Sequence, residues 1–89
     1  MRQRVYISGR VQGVAYRFFA QSTAFRLGVI GFARNLADGR VEILAEASPT
    51  IWEKFIEALK KGPTLSKVRS VVVEPTSSTE LFTTFEIRY

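Results

Sequence analysis

Hydrophobic and polar residues alternate near both ends of the chain, which is the pattern of a strand with one buried face. Residues 3–8 and 85–89 each place apolar side chains at every second position. These positions are Val5 and Ile7 in the first segment and Phe85, Ile87 and Tyr89 in the last. A run rich in β-branched residues over 67–74 predicts a further strand, followed by a polar loop.

Residues 16–27 follow a helical period of 3.6 residues. The inner stripe consists of Tyr16, Ala20, Thr23, Ala24 and Leu27. Gly28 is suited to end this helix. Phe18 and Phe25 fall roughly opposite the stripe, and the pattern leaves open whether they lie on neighbouring loops or form a contact surface.

Residues 49–61 predict a second helix. Ser48 is suited to the N-cap and Pro49 to the first helical position, and a Gly-Pro pair closes the segment. The apolar stripe consists of Trp52, Phe55, Ile56 and Leu59. Lys60 and Lys61 either complement the helix dipole in a solvated last turn or contact a phosphate.

Two more strands, over 29–35 and 40–47, are joined around Asp38-Gly39, which is a strong hairpin signal, so antiparallel neighbours are expected. The order is strand, helix, strand, strand, helix, strand, with one short strand added, as in the split βαβ arrangement. We therefore predict a single α+β domain over 1–89 with the ferredoxin-like fold. It has an antiparallel sheet, two helices on one face and an extra short C-terminal strand.

The stretch from Gly9 to Arg17 is where the first strand gives way to the first helix. Gly9 and Gly13 carry no Cβ, so the backbone can bend until successive N–H groups face one concavity. The start of the helix adds its own free N–H groups and its positive dipole end, and Arg17 adds a planar fork of donors. This pattern is equally consistent with a phosphate site and with a plain glycine-containing turn that carries a surface arginine.

Asn35 ends the second predicted strand, beside the hairpin turn. Asparagine is common in such places because it tolerates unusual backbone angles, so the residues alone favour a local role. In the predicted fold, the glycine loop and this strand end lie on neighbouring, central parts of the sheet. Arg17 and Asn35 can then face one pocket.

The composition of the chain says more about its possible chemistry than about its fold. The chain has no cysteine and no histidine, which excludes disulfides, thiolate catalysis and the usual general base. The net charge of +5 is concentrated in residues 1–40, whose seven arginines and one acid sum to +6. Such a field attracts small anions and nucleic acid alike. No apolar run approaches the roughly 20 residues of a membrane span, and residues 1–4 do not begin a signal peptide, which predicts a cytoplasmic protein.

Two segments, residues 9–17 and 31–42, resemble the signature segments of the acylphosphatases, which are small enzymes that hydrolyse carboxyl phosphates. The similarity extends over residues 60–63, 68–73 and 85–89, and so over nearly the whole chain. Tyr16 stands where the family usually has phenylalanine, and Phe32 where it often has tryptophan. Both departures keep an aromatic ring.

The resemblance implies that Arg17 binds the phosphate, that Asn35 positions a water molecule, and that no cofactor or metal takes part. The hypothesis is that the phosphoryl group is held by Arg17 and by the backbone N–H groups of Gln12, Gly13, Val14, Ala15 and Tyr16. The leaving carboxylate has a conjugate-acid pKa of roughly 4, so it departs without a general acid. The expected partners are a small acyl phosphate and inorganic phosphate as product and inhibitor. We expect a monomer without membrane or nucleic-acid partners.

Two alternatives belong to other classes. Ferredoxin-like sheets also bind RNA or anions without catalysis, and Tyr6 lies on the sheet face opposite Val5 and Ile7. The paired aromatic-rich segments of that RNA-binding class are absent from the sequence. The chain also resembles the acylphosphatase-like domain of larger proteins that process carbamoyl phosphate.

Overall fold

The computed structural model describes residues 1–89 and contains two helices and five strands. In chain order they are β1 (Arg2–Arg10), α1 (Tyr16–Leu27), β2 (Ile30–Asn35), β3 (Val41–Glu46), α2 (Pro49–Lys61), β4 (Lys67–Pro75) and β5 (Phe85–Arg88). The predicted bounds of both helices are confirmed. Neither helix is long and apolar enough to cross a membrane.

The five strands form one sheet in the order β4-β1-β3-β2-β5. The β2–β3 hairpin is antiparallel as predicted, and so are the pairs of β1 with β3 and β4. The α+β ferredoxin-like prediction is therefore confirmed. The prediction of an antiparallel sheet is wrong at one edge, because β5 pairs parallel with β2. The chain leaves β4 at one edge, crosses to the other edge through residues 76–84, and returns in the direction of β2.

The hydrophobic core lies between the helices and one face of the sheet. Val5 and Ile7 are fully buried there, as their alternation predicted. The predicted stripes also face this core, with Tyr16, Ala20, Thr23 and Ala24 buried on α1 and Trp52, Phe55 and Leu59 buried on α2. Burial of this apolar area provides most of the stability of the fold, at roughly 25 cal/mol per Å² removed from water.

Tyr16 fixes the first turn of α1 against α2. Its ring is buried, and its hydroxyl donates a hydrogen bond of 2.5 Å to the carbonyl oxygen of Leu59. Burial raises the pKa of the Tyr16 phenol far above its ordinary value, because the charged phenolate is poorly solvated in the core. The hydroxyl therefore serves packing, and the start of α1 is held rigidly.

Gly31 determines how closely β2 approaches β3. Its φ is +142°, and a Cβ built on it would lie 1.8 Å from the carbonyl oxygen of Leu44. Only glycine fits this close approach without moving the strand. The register that results pairs Asn35, at the end of β2, with Val41.

Candidate active site

The loop between β1 and α1 has a backbone shape that gathers N–H groups. Gly13 has φ +75° and Ala15 has φ +61°, whereas Val14 between them has no positive φ. Alternation of this kind turns successive amides toward one concavity. Gly9, which the sequence suggested as part of the bend, instead lies within β1 at a bulge against β4.

The backbone N–H groups of this loop take no part in the hydrogen bonds that close the turns and cap the helices of the chain. None of those bonds is donated by residues 12–15. Ala15 is the N-cap of α1 and supplies no side-chain cap, so the first N–H groups of the helix are also free. A negatively charged ligand is the natural acceptor for such a set of donors at the positive end of a helix.

Ala15 is the only non-glycine residue with positive φ, and this conformation is strained for an L-residue with a Cβ. We expect Ala15→Gly to raise the free energy of unfolding by roughly 0.5–1 kcal/mol, because relief of strain exceeds the extra freedom of the unfolded chain. Urea unfolding measures this change. Ala37→Gly is the matched control, since Ala37 is exposed in the hairpin loop without positive φ and its replacement should lower stability. A loss of stability in both variants would contradict the assigned strain.

Arg17 is held at the rim of the same loop by the end of the chain. Its Nη1 donates a hydrogen bond of 2.8 Å to the carbonyl oxygen of Arg88. Its guanidinium carbon lies 4.7 Å from the centroid of the Tyr89 ring, which is cation–π distance. No carboxylate forms an ion pair with Arg17. The guanidinium is therefore oriented, keeps donors free and carries an uncompensated positive charge.

Asn35 is half-buried at the end of β2, and it faces the same cavity as Arg17. The expectation of neighbouring strands needs correction, because β3 lies between β1 and β2. The side-chain amide of Asn35 donates no hydrogen bond within the chain, and its φ is not positive. In the adjacent turn, Gly39 takes the positive φ and the Asp38 carboxylate accepts the local hydrogen bonds. The turn therefore does not use the Asn35 amide.

Gln12 has a role that the sequence did not indicate. Its side-chain Nε2 donates hydrogen bonds to the carbonyl oxygens of Leu36 at 2.7 Å and Arg40 at 2.9 Å. These bonds join the glycine loop to the β2–β3 turn immediately after Asn35. Gln12 thus fixes the distance between the two halves of the site, which makes it a positioning residue in addition to its predicted backbone role.

A cavity of about 190 Å³ lies where these elements meet. It is lined by Val11, Gly13, Ala15, Tyr16, Arg17, Phe18, Asn35, Ile87 and Tyr89. Of the predicted site residues, Gln12 and Val14 do not line it. The sequence did not identify Phe18, Ile87 or Tyr89 as site residues. Alternation predicted Ile87 and Tyr89 on the buried face of the last strand, and Phe18 fell opposite the apolar stripe of α1. The prediction is wrong for Tyr89, which is 97% exposed because it follows the end of β5 at Arg88. Lys60 and Lys61 lie in the last turn of α2, outside this cavity.

Positive charge on the opposite face of the sheet is neutralised locally. Glu42 is almost fully buried there and pairs with both Arg4 and Arg34. Tyr6 is covered by the guanidinium of Arg40, whose carbon lies 4.6 Å from the ring centroid. Stacking of a base on Tyr6 would have to displace this contact, so the face does not resemble an aromatic RNA-binding platform.

Similarity to known proteins identifies the family of the chain. The family model Acylphosphatase matches residues 3–87. An acylphosphatase of Thermus thermophilus is 52% identical over 68 residues, which are 76% of this chain and 77% of the relative. One of Syntrophotalea carbinolica is 42% identical over 89 residues, covering 100% and 97% of the two chains. The crystal structure of acylphosphatase from Bacillus subtilis superposes with a TM-score of 0.92 at 41% identity, covering 99% of this chain and 98% of that one. The chain belongs to the acylphosphatase family.

Proposed function

We propose that this acylphosphatase hydrolyses the carboxyl-phosphate bond of acyl phosphates by holding the phosphoryl group between the 12–16 loop and Arg17, while Asn35 orients the attacking water. One observation carries this assignment. The free N–H groups of Gly13 and Ala15, the guanidinium of Arg17, which has no ion-pair partner, and the unbonded amide of Asn35 all belong to residues that line one cavity of about 190 Å³.

The phosphoryl oxygens are bound by the loop N–H groups and by the free nitrogens of Arg17. The loop donors are fixed before the substrate arrives. Their directions are determined by the left-handed conformations of Gly13 and Ala15 and by the two side-chain hydrogen bonds of Gln12. Preorganised donors of this kind stabilise developing charge without reorganising during the reaction. The phosphate subsite therefore provides the electrostatic part of catalysis.

The attacking water is held by the side-chain amide of Asn35. A neutral amide is a poor base, so its contribution is orientation, which places the water oxygen in line with the bond to be broken. That oxygen forms the new bond to phosphorus, and the bond from phosphorus to the acyl oxygen breaks. The acyl group departs as a carboxylate, and the water proton passes to the phosphate product or to solvent.

The site lacks an ordinary general acid or base, and the reaction does not need one. The leaving carboxylate is stable unprotonated because its conjugate acid has a pKa of roughly 4. A loose transition state at phosphorus requires little deprotonation of the water. Tyr16, the phenol in the cavity wall, keeps its proton because burial raises its pKa and its hydroxyl is bonded to Leu59.

The direct test is hydrolysis of benzoyl phosphate by the purified chain in a metal-free buffer, followed by ultraviolet absorbance. We expect turnover well above the buffer rate, with inorganic phosphate as a competitive inhibitor because it occupies the same donors. Bovine serum albumin at the same concentration controls for nonspecific hydrolysis. A folded protein no faster than buffer would overturn the proposal, and noncompetitive inhibition would place phosphate at another site.

A further inference from the structure

Phe18 is an exposed aromatic residue that adjoins the catalytic cavity. It follows Arg17 in the first turn of α1, and 67% of its surface is exposed, so it contributes little to the core. It is nevertheless one of the nine residues that line the cavity. A large apolar side chain kept beside a binding cavity in contact with water indicates a role in contacting a ligand.

Phe25 provides an internal comparison. It lies on the same helix and is 59% exposed, yet it is not among the residues that line the cavity. Seven residues of helix separate the two rings by roughly 10 Å along the axis. Both rings are mainly exposed, so neighbouring loops cover neither of them fully. Only Phe18 is placed to meet a substrate.

The groups that line the cavity are of two kinds, polar and apolar. Arg17, Asn35 and the loop amides form the polar part, which the phosphoryl group and water occupy. The remaining lining includes Phe18, the half-buried Ile87 and Tyr89, whose ring is 97% exposed and lies against the Arg17 guanidinium. Arg17 is the only cationic residue in the lining, so a second negative charge on the substrate has no partner there. The wall left for the acyl group is therefore hydrocarbon and aromatic.

We infer that Phe18, with Ile87 and Tyr89, forms an acyl subsite that selects acyl phosphates with a large apolar acyl group, aromatic or long-chain aliphatic, over acetyl phosphate or those with a second carboxylate. This inference rests on the proposed function, which supplies the phosphate end of the site. In-line displacement directs the acyl group away from the attacking water, and the apolar wall receives it. Phe18 is a specificity-determining residue and takes no part in bond making.

The experiment compares kcat/KM for benzoyl phosphate and acetyl phosphate in the parent, Phe18→Ala and Phe25→Ala. An aromatic contact contributes enough that its loss should lower the benzoyl-to-acetyl ratio by about three- to tenfold. Phe25→Ala should leave the ratio unchanged. Phe18→Leu, which restores an apolar side chain, should recover part of the ratio. The inhibition constant of inorganic phosphate should not change in Phe18→Ala, because phosphate has no acyl group.

The outcomes separate this inference from the proposed function. If the parent hydrolyses both substrates but Phe18→Ala keeps the parental ratio, the acyl subsite is wrong and the phosphate site stands. A parallel loss for both substrates, or a weaker phosphate inhibition constant, would show that the ring positions Arg17 instead. An equal fall in the ratio for Phe25→Ala would also overturn the inference. If the folded parent hydrolyses neither substrate, the proposed function is wrong, and the inference that rests on it is wrong as well.

Discussion

Arg17→Ala is expected to lower kcat/KM for benzoyl phosphate by about a thousandfold, on the scale of other electrostatic stabilisers of phosphoryl transfer. The guanidinium is the only cation in the lining of the cavity, and no carboxylate neutralises it. Its contact with the phosphoryl oxygens strengthens as charge is redistributed in the transition state, so kcat should fall as well as affinity. Steady-state kinetics on the purified variant measure both.

The control for this prediction is Arg26→Ala. Arg26 lies in the last turn of the same helix, is exposed and does not line the catalytic cavity, so its loss should leave kcat/KM unchanged. Arg17→Ala removes the hydrogen bond to the Arg88 carbonyl, which costs about 0.5–1.5 kcal/mol, and urea unfolding shows whether the variant is folded. A folded Arg17→Ala that keeps more than about a tenth of parental activity would contradict the assigned role.

Arg17→Lys separates charge from geometry. Lysine keeps the positive charge but carries all its donors on one nitrogen, so it cannot donate to Arg88 from one nitrogen and face the phosphate with another. We expect its activity to lie between that of the parent and that of Arg17→Ala. Full activity in Arg17→Lys would show that charge alone is required.

Asn35→Ala is expected to lower kcat by about a hundredfold or more, with a much smaller change in KM. Without the amide, the water is no longer held in line, while the phosphate donors of the loop and Arg17 remain. The inhibition constant of inorganic phosphate should therefore stay near the parental value. If phosphate binding weakens in parallel with the fall in kcat, Asn35 binds the phosphate group and does not position the water.

The stability of Asn35→Ala distinguishes the proposed water-positioning role from the structural role that asparagine often has beside a turn. The Asn35 amide donates no hydrogen bond in the chain and its φ is ordinary, so Asn35→Ala should change the free energy of unfolding by less than about 0.5 kcal/mol. A large loss of stability would favour the structural role.

Asn35→Asp introduces a negative charge at the same position. Its carboxylate should weaken the inhibition by inorganic phosphate, because the two negative charges repel each other.

Local sequence signals were sufficient to predict both helices. The bounds Tyr16–Leu27 and Pro49–Lys61 follow from a 3.6-residue apolar period and from residues that start or stop helices in any context. The pairing of β5 was not predictable in this way. Its alternation shows that one face is buried, but neither its neighbour nor its direction is encoded in a four-residue pattern.

The proposed phosphate loop could be recognised in the sequence because its chemistry is local. Gly13, the start of α1 and Arg17 lie within a few residues, so their meeting needs no knowledge of the fold. The resemblance added the proposed role of Asn35, which lies 18 positions after Arg17 in the chain. The structure then placed both on one cavity, with β3 between the strands that carry them.

The sequence by itself determined the helices, most of the strands, the glycine loop for which we propose anion binding, and the absence of histidine and cysteine chemistry, since each depends on residue types and short spacings. Only the tertiary structure decided what holds these parts in place. The Arg88 carbonyl that orients Arg17 is 71 residues away, and the carbonyls that Gln12 binds are 24 and 28 residues away. The apolar wall beside the phosphate site likewise combines a helix start with the end of β5. Such contacts depend on how strands pair and how the chain crosses the sheet, and these are properties of the whole fold.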